Sequence, residues 1–214
     1  MTVHLMQRKQ TGEFTCGAAA LTVAIAEIAQ DSALNTDQKE EIIWRGVQGM
    51  DGTWSVPGKL GLYAWKGGPG IKAGIWQDDQ KVAAIQKAMP PNLIAFPVGA
   101  HLQEQNQALE RAEHSGVRIV RGPHDTDTIV RLMDDGWRLL LVTIVPGIRG
   151  LGLHYLLGRK RVRVYGYALM DPAEGRDTGY SAGDMNAFLF EPVEELFGHA
   201  RYLGISVGLL DYPV

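Results

Sequence analysis

The chain has 214 residues, 45% of them hydrophobic and 21% charged, which is the balance of an ordinary globular protein and excludes a disordered or fibrous one. The net charge is −3 with acidic and basic residues interleaved, so no footprint for nucleic acid or an anionic membrane stands out, and the apolar runs at residues 16–26 and 139–145 are too short to span a bilayer. One cysteine allows neither an internal disulfide nor a four-ligand zinc set of the CxxC kind, and "MTVHLMQRKQ" lacks the features of a secretory signal.

In chain order, Leu21, Ala24, Ile25 and Ile28 recur at helical spacing, which predicts a buried helix over residues 16–29. Thr36 reads as the N-cap of a second helix, "DQKEEIIWRG", ending at Gly46. A glycine-rich stretch follows, in which Leu60, Leu62, Tyr63 and Trp65 form a short helix between loops. "DDQKVAAIQKAM" is a third helix stopped by Pro90 and Pro91, residues 101–115 a fourth, and "VRIV" a short strand. The second half changes character. After a helix at "DTIVRLMDDG", the runs "WRLLLVTIV", "LHYLLG", "RVRVYGYALM" and "YLGISVGLL" are rich in β-branched and aromatic residues and read as antiparallel strands. The basic group "GRKRVR", residues 158–163, reads as the solvated end of a hairpin. The expectation is an α+β protein of one domain over residues 1–214, with a helical lobe at about 10–115 and a sheet lobe at about 116–214.

Chemistry centres on "QTGEFTCGAAAL" at residues 10–21. A thiol is a nucleophile only as thiolate, and a helix N-terminus favours that anion through its unpaired amides and dipole. Cys16 stands at such a terminus, although a lone cysteine equally fits core filling. Gly17 beside it gives a substrate backbone room to approach. An imidazole must take the thiol proton and return it to a leaving amine. His4 falls in the terminus, His101, His114 and His124 in loops or on polar helix faces, and His199 after a helix end. His154, in "GLGLHYLLG", starts an apolar strand that glycines leave accessible, with Gly152 among the candidates to line a cleft. Asp171, seventeen residues later, lies side by side with His154 if residues 155–169 form a hairpin, and would orient the ring. It also fits a plain strand-ending turn. The Gln10 amide and the Cys16 backbone N–H are candidates for an oxyanion hole, with Gln7 as rival to Gln10.

The order "Q-x5-C-G", then a histidine opening a strand, then Asp-Pro, resembles the papain-like cysteine peptidases. "QTGEFTCGAAAL", "LHYLLG" and "ALMDPAEG" are most similar to the bacterial branch that trims double-glycine leaders from bacteriocins. "EEIIWRGV", "PGKLGLYAWKGG" and "IWQ" are similar to its stand-alone members. The resemblance covers about residues 7–180. It implies a papain-like two-lobe fold, a helical lobe and a twisted antiparallel sheet with the site between them. It also carries catalytic roles to Cys16, His154 and Asp171 and an oxyanion role to Gln10. No metal or organic cofactor is then required. The partner is a protein or peptide substrate, and nucleic acid and membrane are not expected. Two settings follow: a processing enzyme in the cytoplasm, or a toxin delivered into a target cell and stored with an inhibitory partner. The same residues also serve a thiol-dependent deamidase or acyltransferase, and a binding module can keep the fold without the chemistry.

Overall fold

A computed structural model describes residues 5–67, 70–88, 98–147, 150–161, 166–196 and 198–211. Its elements run α1 (Cys16–Ala29), α2 (Asp37–Val47), α3 (Pro57–Lys66), β1 (Ile71–Gln77), α4 (Asp79–Ala88), α5 (Val98–His114), β2 (Arg118–Arg121), α6 (Thr126–Asp134), β3 (Arg138–Gly147), β4 (Gly150–Lys160), β5 (Tyr167–Asp171), β6 (Arg176–Tyr180), α7 (Ala182–Phe190), β7 (Pro192–Val193), β8 (His199–Ala200) and β9 (Tyr202–Asp211).

Helix α1 is buried along its length, from Cys16 to Ile28. Its alanines let it pack closely, and a helix apolar on all sides belongs in a core rather than on a surface. Gln30 ends it in the left-handed region, φ 53°, returning its N–H to the carbonyls of Ala26 and Glu27. Thr36 caps α2 as expected, accepting from the Lys39 amide at 3.2 Å. The prolines expected to stop α4 lie outside the described residues.

The main sheet has the order β2-β1-β9-β3-β4-β5-β6. Alternation along β3 sends Leu140, Val142 and Ile144 into the apolar cluster that contains α1, and Leu139 and Leu141 into a second cluster with Met185 and Leu189 of α7. The sheet is therefore buried on both faces, and α1 packs against β4, β3 and β9 on one of them.

Three expectations need correction. Strand β1, inside the stretch assigned to a helical lobe, pairs antiparallel with β9 and parallel with β2, so the sheet is mixed and draws on both halves of the chain. Its period was hidden because Ala73 to Gln77 are all buried, and because Gly74 and its partner Gly208 weaken the strand signal while making room for the Trp76 ring. Second, the "DPAEG" turn continues into β6 and then α7, both missed. Ser181 and Asp184 form a capping box, a signal that the spacing S-x-x-D offered. Third, Arg159 is not at a solvated hairpin end. It is 2% exposed, on the α1 side of β4, where its guanidinium pairs with Glu27 and Asp177. Residues 162–165 of that basic run lie outside the described residues. Among the described residues no helix is long and apolar enough to cross a membrane.

Candidate active site

Cys16 is the first residue of α1 and 7% exposed. Thr15, in the N-cap position, makes no side-chain cap to the helix. Its hydroxyl donates instead to Glu40 Oε1 at 2.6 Å. No acidic residue occupies the first turn. The leading amides of α1 and the positive end of its dipole are thus left around the thiol, an arrangement that favours an anion there.

Strand β4 carries His154, opposite Thr143 of β3, whose hydroxyl donates to the His154 carbonyl at 3.0 Å. β4 pairs with β5 from Leu157↔Met170 to Lys160↔Tyr167, so the hairpin returns Asp171 to the neighbourhood of His154. His154 Nε2 lies 2.7 Å from Asp171 Oδ1, with the ring 12% exposed. Oδ1 also accepts the Ala173 amide at 2.8 Å. With Nε2 committed to Asp171, Nδ1 is the nitrogen left for the thiol. Burial of the ring lowers its pKa, but the hydrogen bonds to Asp171 and to Cys16 and the charges of both prevail, and it is pushed up to about 10. Burial pushes the Asp171 carboxyl upward, whereas the hydrogen bond and charge of His154 and the amides of Ala173 and Glu174 hold it below its ordinary value.

The remaining site residues divide. Gln10 is near the site, its backbone N–H bonded to the Pro172 carbonyl at 2.7 Å. Its side-chain Nε2 donates to Gly12 O at 2.7 Å and Glu13 O at 3.1 Å, while Oε1 is buried with no hydrogen-bond partner among the described residues. Its rival Gln7 points elsewhere, to Asp177 Oδ2 at 3.4 Å. Gly17 is not a clearance for substrate. A Cβ there would stand 2.6 Å from Ser55 Cβ and Oγ and 3.1 Å from Tyr155 Cδ2, so the space is filled by the chain itself. Among the described residues a Cβ at Gly152 would meet only Val145 Cγ2, at 3.9 Å, two residues before His154 and on the same side of β4.

The family described as Peptidase_C39 like matches residues 6–146. The chain belongs to that family. No curated protein matches the chain. The matched span of this C39-like protein takes in Gln10 and Cys16 and stops before His154 and Asp171, which the hairpin of β4 and β5 brings together and of which His154 is hydrogen-bonded to Cys16.

The other histidines of the C39-like chain are accounted for differently. His114 Nδ1 bonds the Glu110 carbonyl at 2.7 Å on an exposed helix end, and His199 lies on β8. His124, expected in a loop or on a polar face, is 3% exposed and hydrogen-bonded to Tyr202, with burial pulling its pKa to about 4. His4 lies outside the described residues, as does the side chain of His101. Ser55 and Tyr155 are structural neighbours of the site that sequence reading missed. The Tyr155 hydroxyl donates to Ser55 O at 2.7 Å, fastening the loop before α3 to β4 beneath Gly17. Among the described residues no cluster of three or more His, Cys, Asp or Glu side chains is arranged to hold a metal ion.

Proposed function

We propose that this protein is a cysteine peptidase in which Cys16 is the nucleophile, His154 its acid-base partner and Asp171 the group that orients the ring. The observation that carries the reading is His154 standing between the Cys16 thiol and the Asp171 carboxylate, its Nε2 2.7 Å from Oδ1. Membership of a C39-like family supports it.

The thiol proton passes to His154 Nδ1, and the thiolate attacks a peptide carbonyl, forming a C–S bond as the carbonyl π electrons move to oxygen. That oxyanion accepts a hydrogen bond from the Cys16 amide. Gln10 joins it by releasing the longer, 3.1 Å bond to Glu13, a solvent-side contact that water replaces. Collapse of the intermediate breaks the C–N bond, and the imidazolium protonates the departing amine. Water, deprotonated by His154, then releases the acyl group and regenerates the thiol. An extended substrate lies along the flank of β4 at Gly152, which the described residues leave uncrowded.

The likeness of "Q-x5-C-G-x-A" and "DP" to the leader-trimming branch belongs to this reading, as do its two settings, leader processing and action as a toxin on an essential protein of a target cell. One experiment tests the chemistry. A bacterial lysate is incubated with the parent protein or with Cys16→Ala, and new peptide termini are mapped by mass spectrometry. Termini made only by the parent are expected, and their identity separates the two settings. A one-dalton gain on glutamines without new termini would replace the peptidase with a deamidase, and no difference would leave a binding module.

A further inference from the structure

Glu40 of α2 has no solvent exposure, yet it does not lie among apolar side chains alone. Its Oε1 accepts from the Thr11 amide at 2.8 Å, the Thr11 hydroxyl at 2.7 Å and the Thr15 hydroxyl at 2.6 Å. Its Oε2 accepts Arg8 Nε at 2.6 Å, and Arg8 reaches on to Asp37 at 2.5 Å. A carboxylate taken from water survives when every lone-pair direction is met, and charge-assisted bonds of this length are the strong kind. Here all of the donors come from one segment, residues 8–15, which wraps around a single buried carboxylate.

That segment contains Gln10 and runs directly into Cys16. Glu40 pins it at positions 8, 11 and 15, while the Pro172 carbonyl pins the Gln10 amide from the other side. Thr15 donates its hydroxyl to Glu40 and accepts the Gly12 amide at 3.0 Å; so held, it makes no cap bond to α1, and the first amides of the helix are left at the site. We propose that Glu40 is a positioning residue for the oxyanion side of the site. It touches no substrate and acts through the segment 8–15, fixing where Gln10 and the Cys16 amide stand. The inference rests on the peptidase reading above. Nothing in the sequence marks it, since Glu40 and its exposed neighbour Glu41 stand side by side in the same helix.

The test compares the parent with Glu40→Gln, which keeps the shape and loses the charge. Three readouts separate the roles at a temperature well below the melting transition of both proteins: turnover of a peptide identified in the lysate experiment, affinity for acetyl-Phe-glycinal, and the rate of Cys16 alkylation by iodoacetamide. The aldehyde adds the thiolate to form a tetrahedral hemithioacetal and so needs the oxyanion side, whereas iodoacetamide needs only the thiolate. Loss of positioning predicts a fall in kcat and in aldehyde affinity on the order of 10–100-fold with KM changed by less than about threefold. Alkylation is expected to stay within about threefold of the parent, since it makes no demand on oxyanion geometry. Thr11→Val removes one donor hydroxyl and is expected to give the same split at roughly 3–10-fold, carrying the test if Glu40→Gln does not fold. Unchanged kcat and aldehyde affinity would overturn the inference, as would a parallel fall in alkylation, which would mean that Glu40 holds the thiol or the fold rather than the oxyanion side. A parent that neither cleaves nor binds the aldehyde would instead overturn the peptidase reading, and this inference with it.

Discussion

The backbone N–H of Gln10 donates to the carbonyl of Pro172 at 2.7 Å, tying the segment that leads into Cys16 to the turn that presents Asp171. Two parts of the site more than 160 residues apart in sequence are thereby held by a bond between main-chain atoms, indifferent to the side chain at either position. The orientation of His154 depends on that same turn.

Asp171→Asn keeps the size of the side chain but removes the charge that favours the imidazolium. Turnover is expected to fall on the order of 10²–10⁴-fold with the fold intact, as when the orienting acid of a triad is neutralised. Steady-state kinetics beside circular dichroism checks both halves, and unchanged turnover would remove Asp171 from the mechanism.

The imidazole also makes stability depend on pH. Its pKa rises from an ordinary 6.5 to about 10 on folding, so the native state binds this proton more tightly than the unfolded chain. The stabilisation is complete below about pH 6.5 and drains away as pH climbs toward 10. Urea midpoints measured from pH 6 to 10 are expected to decline in the parent, and to decline less in His154→Gln.

Gly17→Ala places a methyl group 2.6 Å from Ser55 Cβ and Oγ, which cannot both be accommodated. The helix N-terminus must shift, at a cost of roughly 1–3 kcal/mol and with loss of turnover. Ser55→Gly vacates that space, so the double variant should recover much of both. A double-mutant cycle in denaturant reads the coupling, and additive losses would show that the contact is not the cause.

Gly152→Val tests the open flank of β4. Among the described residues a Cβ there meets only Val145 Cγ2, at 3.9 Å, so the substitution is expected to leave the fold intact, which circular dichroism checks. The expected result is a fall in kcat/KM for peptide substrates with iodoacetamide labelling of Cys16 retained. Peptide turnover equal to the parent's would place the substrate elsewhere.

Arg159→Met takes from buried Glu27 its closer guanidinium, leaving Arg138 at 3.6 Å, and takes from Asp177 one of its partners. Breaking a buried pair from one side costs about 3–5 kcal/mol when the charge is left unpaired, so with Arg138 retained a loss of at most about 3 kcal/mol is expected in a chemical melt. Met6 also loses the donor to its carbonyl, so the N-terminal segment should become accessible to proteases first.

Local signals proved the most legible. The alanine-rich helix after Cys16, the Thr36 cap and the strand at "WRLLLVTIV" carry their pattern in neighbouring residues, and His154 and Asp171 could be paired because one hairpin joins them. What long-range packing decides was not legible. Gly17 looked like open space because the residue that fills it, Ser55, lies 38 positions away, and Arg159 looked solvated because its partners come from α1 and β6. β1 was concealed for a related reason, being buried on both faces and interrupted by a glycine whose purpose is the Trp76 ring.

The place of β9 has a consequence for how the molecule comes into being. Among the described residues, strands β1 and β2 on one side and the run β3 to β6 on the other are joined in the sheet only through residues 202–211. A growing chain makes Cys16 before residues 202–211, and has no continuous sheet on which to seat the helix that bears it until β9 has emerged. An interrupted product therefore carries Cys16 and α1 without one of the three strands against which that helix packs.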